Sequence, residues 1–208
     1  MAVDRPTYAS RHDWFGTYTE YDDLGADLKS DLKSAQSFIP LDICAFREIS
    51  ANAIQNLAAH GGILGSDSTP VLERVDGATD RALRIRWAAD DVAEIAYPPI
   101  PLPPDLNPAA NVIVHLMLAR SGATDDCQID VLALENGVGA YAADVEMGGK
   151  TAALATTNVT EATSVLSASG IAGHPSLLNL SLLPDAHAAD AIYLFGGWIE
   201  FTRMLRTS

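Results

Sequence analysis

From Phe38 onward, apolar and polar positions alternate in short stretches separated by turn chemistry. FIPLDICAFREI reads as a first strand. NAIQNLAAHGGILG follows, broken at Gly61 and Gly62. VLERV and ALRIRWA, joined by DGATD, predict a hairpin with Leu83, Ile85 and Trp87 on one face and Arg84 and Arg86 on the other. DVAEIAY is a further strand, and after a proline-rich stretch come NVIVHLMLA, CQIDVLALE, GAYAADVEM, TAALATT, ATSVLSA, SLLNLSLL and AIYLFGGWIEFTRML. The joints SGATDD, ENG, MGGK, GIAGHP and PDAHAAD carry turn residues. Roughly eight or more short strands without a long helical period predict an all-β sandwich. The expected form is a jelly-roll-like β-sandwich of two four-stranded sheets. An immunoglobulin-type sandwich fits less well, because the Cys…Trp…Cys pattern is missing and the domain is long.

Two segments stand out within this pattern. YPPIPLPPDLNP, residues 97–108, holds six of the eleven prolines. Proline cannot donate to a ladder, so the segment predicts a stiff extended crossover between sheets, not a central strand. Its rigidity costs little entropy on folding. The last strand, AIYLFGGWIEFTRML, is apolar enough to predict burial on both faces, with the N-terminal arm or a neighbouring subunit as cover. Cyclic oligomers answer that need. Gly196 and Gly197 in mid-strand predict a bulge or a close backbone approach.

Residues 1–37 differ in texture, which divides the chain into an arm (1–37) and a sandwich domain (38–208). Tyr8, Trp14, Phe15, Tyr18 and Tyr21 are spread among polar residues with neither period 2 nor period 3.6. In the tandem DLKSDLKS region, Leu24, Leu28 and Leu32 are four apart and share one face of a short helix. Two or three turns need a surface to lie on. The expectation is an extended N-terminal arm that contacts a partner through these eight residues, against the plainer reading of a loose terminus.

Charge narrows the partners. With 27 acidic against 13 basic residues the formal net charge is −14. Such a surface disfavours nucleic acid and anionic membranes. No apolar run reaches membrane-spanning length, and the first residues lack a secretory core, so synthesis in a cytoplasm is expected. Cys44 and Cys127 are expected to remain free thiols in apolar surroundings.

Candidate chemistry is sparse. GGKT (148–151) matches the end of a phosphate loop, but Asp144 stands where the leading glycine belongs, so a β-turn is the better reading. His115 stands alone in an apolar strand and reads as a histidine with a satisfied partner. Asp185, His187 and Asp190 in PDAHAAD read as a polar loop before an ion site. Trp87 and Trp198 are candidates for a sugar-stacking platform, though both end apolar alternations and favour core packing. No catalytic constellation and no cofactor motif is found, so no enzyme activity and no metal or cofactor is expected.

Three stretches together carry a resemblance: SANAIQNLAAHGGILGSDSTPVLERVDGATDRALRIRWAA, YPPIPLPPDLNPAANVIVHLMLARSGATDD and HPSLLNLSLLPDAHAADAIYLFGGWIEFTR. They resemble small virion proteins of tailed bacteriophages, over roughly residues 38–208. The resemblance implies a capsid decoration (cement) protein. It would bind the major capsid protein shell as a homo-oligomer, a trimer by preference, and would sit on the virion capsid surface. A head-fibre or tail adhesin that binds host carbohydrate is the alternative. The family brings no catalytic residues.

Overall fold

In the computed structural model, residues 36–50, 53–54, 70–75, 82–137, 148–154, 158–166 and 176–204 are described. They form twelve strands: β1 (Gln36–Leu41), β2 (Arg47–Ser50), β3 (Ala53–Ile54), β4 (Val71–Arg74), β5 (Leu83–Trp87), β6 (Glu94–Pro101), β7 (Val112–Arg120), β8 (Ile129–Gly137), β9 (Gly149–Lys150), β10 (Thr160–Leu166), β11 (Ser176–Pro184) and β12 (Ile192–Thr202). Every pairing is antiparallel. Sheet A has the order β10-β7-β12-β5-β4, with β1 also paired to β12, and sheet B the order β3-β2-β6-β11-β8-β9. The fold is a jelly-roll-like β-sandwich, as the alternation predicts.

The core lies between the sheets and follows the period of two. Sheet B contributes Leu178, Leu180 and Leu182 from β11, and Ile129, Val131 and Ala133 from β8. Sheet A answers with Val112, Val114, Leu116 and Leu118 from β7, Ile85 and Trp87 from β5, and Ile192, Leu194, Ile199 and Phe201 from β12. Each large aliphatic side chain fully buried here contributes about 1.5–3 kcal/mol. The predicted hairpin is formed by β4 and β5, with Ile85 and Trp87 in the core and Arg84 and Arg86 outside.

Each sheet has six strands where four were expected, and the structure changes four further details. The expected first strand is two, β1 in sheet A and β2 in sheet B. Between them Asp42 accepts a hydrogen bond from Cys44 N (2.9 Å) and caps a 3-10 turn at Ile43–Ala45, a local alternative to the ladder that short acidic side chains offer. TAALATT is not a strand over Thr151–Leu154, where Thr151 N and Leu154 N donate to Ile129 and Cys127 carbonyls without building a ladder.

The proline segment is the third correction. Its first part belongs to β6, a strand of sheet B. The prolines are tolerated because β2 pairs with β6 only over Glu94–Ala96, so that among the described residues no strand pairs with Pro98–Pro101 on that side. The β6–β11 register also shifts between Leu178 and Leu180, so Pro98 and Pro99 meet an irregularity in the ladder. The remainder, from Leu102, is the predicted crossover from sheet B to sheet A. Leu102 and Leu106 plug into the core, and Asn107 N donates to Thr202 O at 2.8 Å.

Finally, β12 is not buried on both faces. Ile192, Leu194, Ile199 and Phe201 are buried, whereas Tyr193, Phe195, Trp198 and Glu200 are only half-buried. The strand lies inside sheet A, between β7 on one side and β5 and β1 on the other, so its outer side chains are shielded by lateral neighbours. The arm residues expected to contact a partner, Tyr8, Trp14, Phe15, Tyr18, Tyr21, Leu24, Leu28 and Leu32, lie outside the described residues, as do most of NAIQNLAAHGGILG and GAYAADVEM.

Candidate functional site: the outer face of sheet A

The two glycines of β12 decide what this face presents. Before them, Tyr193 points out and Leu194 in; after them, Trp198 points out and Ile199 in. A strict two-residue period would put residues 194 and 198 on the same side. The register shift between Leu194 and Gly196 inserts one extra residue, Phe195, and reverses the parity. Gly197 then packs directly on the neighbouring strand, where a Cβ would stand 2.5 Å from His115 O. Both predicted roles of the glycine pair, bulge and close approach, are present.

With parity reversed, side chains of four strands line up in one row: Thr163, His115, Trp198 and Pro40 are successive cross-strand partners. His115 and Trp198 stack, with ring centroids 4.8 Å apart and planes at 10°. The next row is Val165, Ile113, Glu200 and Phe38, in which Val165 and Phe38 are more than half exposed.

His115 is held between two carboxylates. Its Nδ1 is 2.5 Å from Glu161 Oε1 on β10. Its Nε2 lies 3.2 Å from Glu200 Oε2 on β12, an ion-pair distance at an angle that makes no hydrogen bond. The expected satisfied partner of His115 is therefore Glu161. The two carboxylates sit at different ring nitrogens, so the trio does not converge on one point.

A second cluster occupies the other end of the face. Tyr193 opposes Arg86 on β5, and the Arg84 guanidinium lies 3.8 Å from the Tyr193 ring centroid. Glu73 on β4 accepts from Arg84 Nε (2.8 Å) and Arg86 Nε (3.0 Å). Partial burial works to raise the Glu73 carboxyl, but these hydrogen bonds and the two positive charges outweigh it and hold the group below the usual carboxylate range. Tyr193 and Trp198 align with Ala119 and His115 of β7, four residues apart, so the two clusters are about 13 Å apart along the sheet.

The tryptophan candidates thus separate. Trp87 is fully buried and donates from Nε1 to Ala93 O at 3.0 Å, so it is a core residue. Trp198 is the surface one, contrary to the core packing its apolar neighbours favour, because the bulge turns it outward. Tyr193, Arg84, Arg86, Glu73, Glu161 and Glu200 join it without having been marked by sequence. The visible signals were the Arg84/Arg86 alternation and the glycine pair.

The remaining candidates are structural. Lys150 of GGKT pairs with Asp185 at 2.7 Å, and Gly149–Lys150 is a short strand on the edge of sheet B. His187 is buried between the carbonyls of Asp185 and Ala88. Asp190 accepts from Thr124 N and Asp125 N, and Asp125 in turn accepts from Ala189 N and Asp190 N. This reciprocal clasp fastens the β7–β8 loop to the β11–β12 loop. Among the described residues no group of three or more His, Cys, Asp or Glu side chains is placed to hold a metal ion. Cys44 is exposed and Cys127 buried, both as free thiols. No helix among the described residues is long and apolar enough to cross a membrane.

No family model matches the chain, and no curated protein does. Similar solved structures include the xylan-binding module CBM15, at 10% identity and TM-score 0.48 over 82% of this chain and 100% of that one. The family 11 carbohydrate-binding module from Clostridium thermocellum, in complex with a mixed-linked tetrasaccharide, matches at 14% identity and TM-score 0.43 over 83% and 99%. TmCBM61 in complex with β-1,4-galactotriose matches at 11% identity and TM-score 0.35 over 83% and 92%.

Proposed function

We propose that this chain is a non-catalytic carbohydrate-binding protein, and that the outer face of sheet A is its binding surface. The observation that carries the reading is the pairing, on one rigid face, of two anchored aromatic rings with fixed charged groups. Trp198 rests on His115 and Tyr193 under Arg84. Glu73, Glu161 and Glu200 stand beside them. Sugars are amphipathic: their C–H faces cover aromatic surface while their hydroxyls both donate and accept. A surface with apolar rings and prepositioned polar groups, on strands and not on loops, matches both needs. Binding of glycan probes by wild type and by Trp198→Ala tests it. Equal binding by the two proteins overturns the assignment of this face. On the phage resemblance, such a protein would be a head-fibre or tail adhesin.

Capsid decoration is the second reading, and the outer face of sheet B favours it. Leu134 and Leu177 are exposed there, 38% and 40%, with Leu132, Leu183 and Ala96 beside them. Asn179 and Ser181, on the same face of β11, carry no charge. These apolar side chains, bordered by Asp130 opposite Leu183 and Arg47 opposite Ala96, suit protein docking, to the major capsid protein or to further copies in a trimer. Co-sedimentation with purified shells tests it, with Leu134→Lys plus Leu177→Lys expected to abolish attachment. Attachment unchanged by that pair would overturn it.

A further inference from the structure

We infer that the ligand of the sheet A face is a neutral glycan, one without carboxylate, sulfate or phosphate groups; the inference rests on the carbohydrate reading above. Among the described residues, the positively charged or protonatable side chains of this face are Arg84, Arg86 and His115. Against these three groups stand three carboxylates, Glu73, Glu161 and Glu200. Arg84 and Arg86 share Glu73, with Arg84 Nη2 also 2.6 Å from Glu73 Oε1. His115 lies between Glu161 and Glu200. Trp198 stacks on the His115 that lies between Glu161 and Glu200, so an anionic sugar laid on that ring would meet two carboxylates, while at Arg84 and Arg86 it would meet guanidinium groups whose charge Glu73 already partly offsets. It would also approach a chain of net charge −14.

Hydroxyls meet no such obstacle. An ionised carboxylate has about four acceptor positions, of which Glu161 uses one on His115, whereas Glu200 makes no hydrogen bond to the ring. Glu161 is half exposed and within reach of a ligand. A guanidinium has five N–H donors, more than Glu73 occupies. The face therefore offers acceptors and donors to neutral hydroxyls while its net charge is already balanced or negative. The separation of about 13 Å between the Tyr193 and Trp198 clusters suits a chain of several sugar rings better than one ring.

The test uses the full chain and two probe sets at about 0.15 M salt, where long-range repulsion is screened and local pairing decides. Xylohexaose, cellohexaose and β-1,4-galactotriose are the neutral probes; oligogalacturonate, sialyllactose and a heparin oligosaccharide are the acidic ones. The expected result is binding of at least one neutral probe, at least ten-fold tighter than any acidic probe and weakened at least ten-fold by Trp198→Ala. Glu73→Gln, which releases Arg84 and Arg86, should raise acidic-probe affinity several-fold. Acidic probes that bind as tightly as neutral ones, with the same dependence on Trp198, overturn the neutral assignment and leave the carbohydrate reading standing. No binding by either set overturns both. Circular dichroism of each variant verifies the fold, and Glu161→Gln provides a second variant of the face that keeps side-chain shape.

Discussion

Trp198 lies flat on His115, 4.8 Å between ring centroids, although the two residues are 83 positions apart in sequence and belong to strands β12 and β7. Such a stacked pair contributes about 0.5–1.5 kcal/mol beyond its buried area. It also fixes the ring that the proposed ligand would meet. His115→Ala should cost about 1–2 kcal/mol of stability, because it removes the stack and leaves Glu161 and Glu200 without the imidazole between them. A double-mutant cycle with Trp198→Ala in urea should return a coupling of about 1 kcal/mol. Additive effects would mean that the stack carries no energy.

Gly197→Ala tests the close approach. The new methyl would stand 2.5 Å from His115 O and 3.1 Å from Leu116 Cδ2, and the first of these is backbone that yields poorly. The expected loss is about 1–3 kcal/mol in denaturant, as for other overpacked sites. Weakened binding should accompany it, since β12 must move away from the strand that holds His115. A fully stable variant would show that the strands separate freely here.

Acid should loosen the β4–β5 corner. Glu73 has its carboxyl held below the usual range, so its folded value lies beneath its unfolded one. Its stabilising contribution is then complete above the ordinary carboxylate pKa and is lost as pH falls through the folded value. Glu73→Gln should flatten the pH dependence of stability on the acid side of about pH 5. An unchanged profile, measured by denaturant midpoints from neutral to acid pH, would remove Glu73 from the account.

The two thiols should differ in reactivity. Burial, foremost, pushes Cys127 up to about 11, with Asp190 adding to it. Cys44 is exposed, and its thiol is raised first by desolvation and then by Asp42. A thiol reagent at mildly alkaline pH should therefore modify Cys44 slowly and Cys127 only after unfolding. Two equivalents reacting at once in the folded protein would contradict the buried position of Cys127.

The loop clasp gives a stability test remote from the face. Asp190→Ala leaves Thr124 N and Asp125 N without their acceptor, and a cost of about 2–3 kcal/mol is expected. Gly122→Ala should act in the same direction, since its Cβ would stand 2.0 Å from Asp190 Oδ1. Thermal melts of both variants check this, and glycan affinity should survive in whatever fraction remains folded.

Much of the sandwich was legible because alternation is a local signal. Ile85 and Trp87 face inward and Arg84 and Arg86 outward as the pattern of ALRIRWA requires. What sequence could not place were events that depend on partners far along the chain. The bulge at Phe195 exists only relative to β7, so the outward turn of Trp198 was hidden behind apolar neighbours. Pro98–Pro101 could join a strand because β2 stops short of them, which no local propensity records. The site itself was less legible still. His115, Glu161 and Glu200 come from three strands, and only the register brings them together.

The β1–β12 pairing has a mechanical consequence. Gln36 opposes Thr202, so the chain enters and leaves the described sandwich side by side at one end of the ladder. Tension applied between residues 36 and 202 would open that ladder like a zip, one rung at a time, and not shear all rungs together. A domain wired this way is better suited to hanging from a single tether than to serving as a link in a loaded chain.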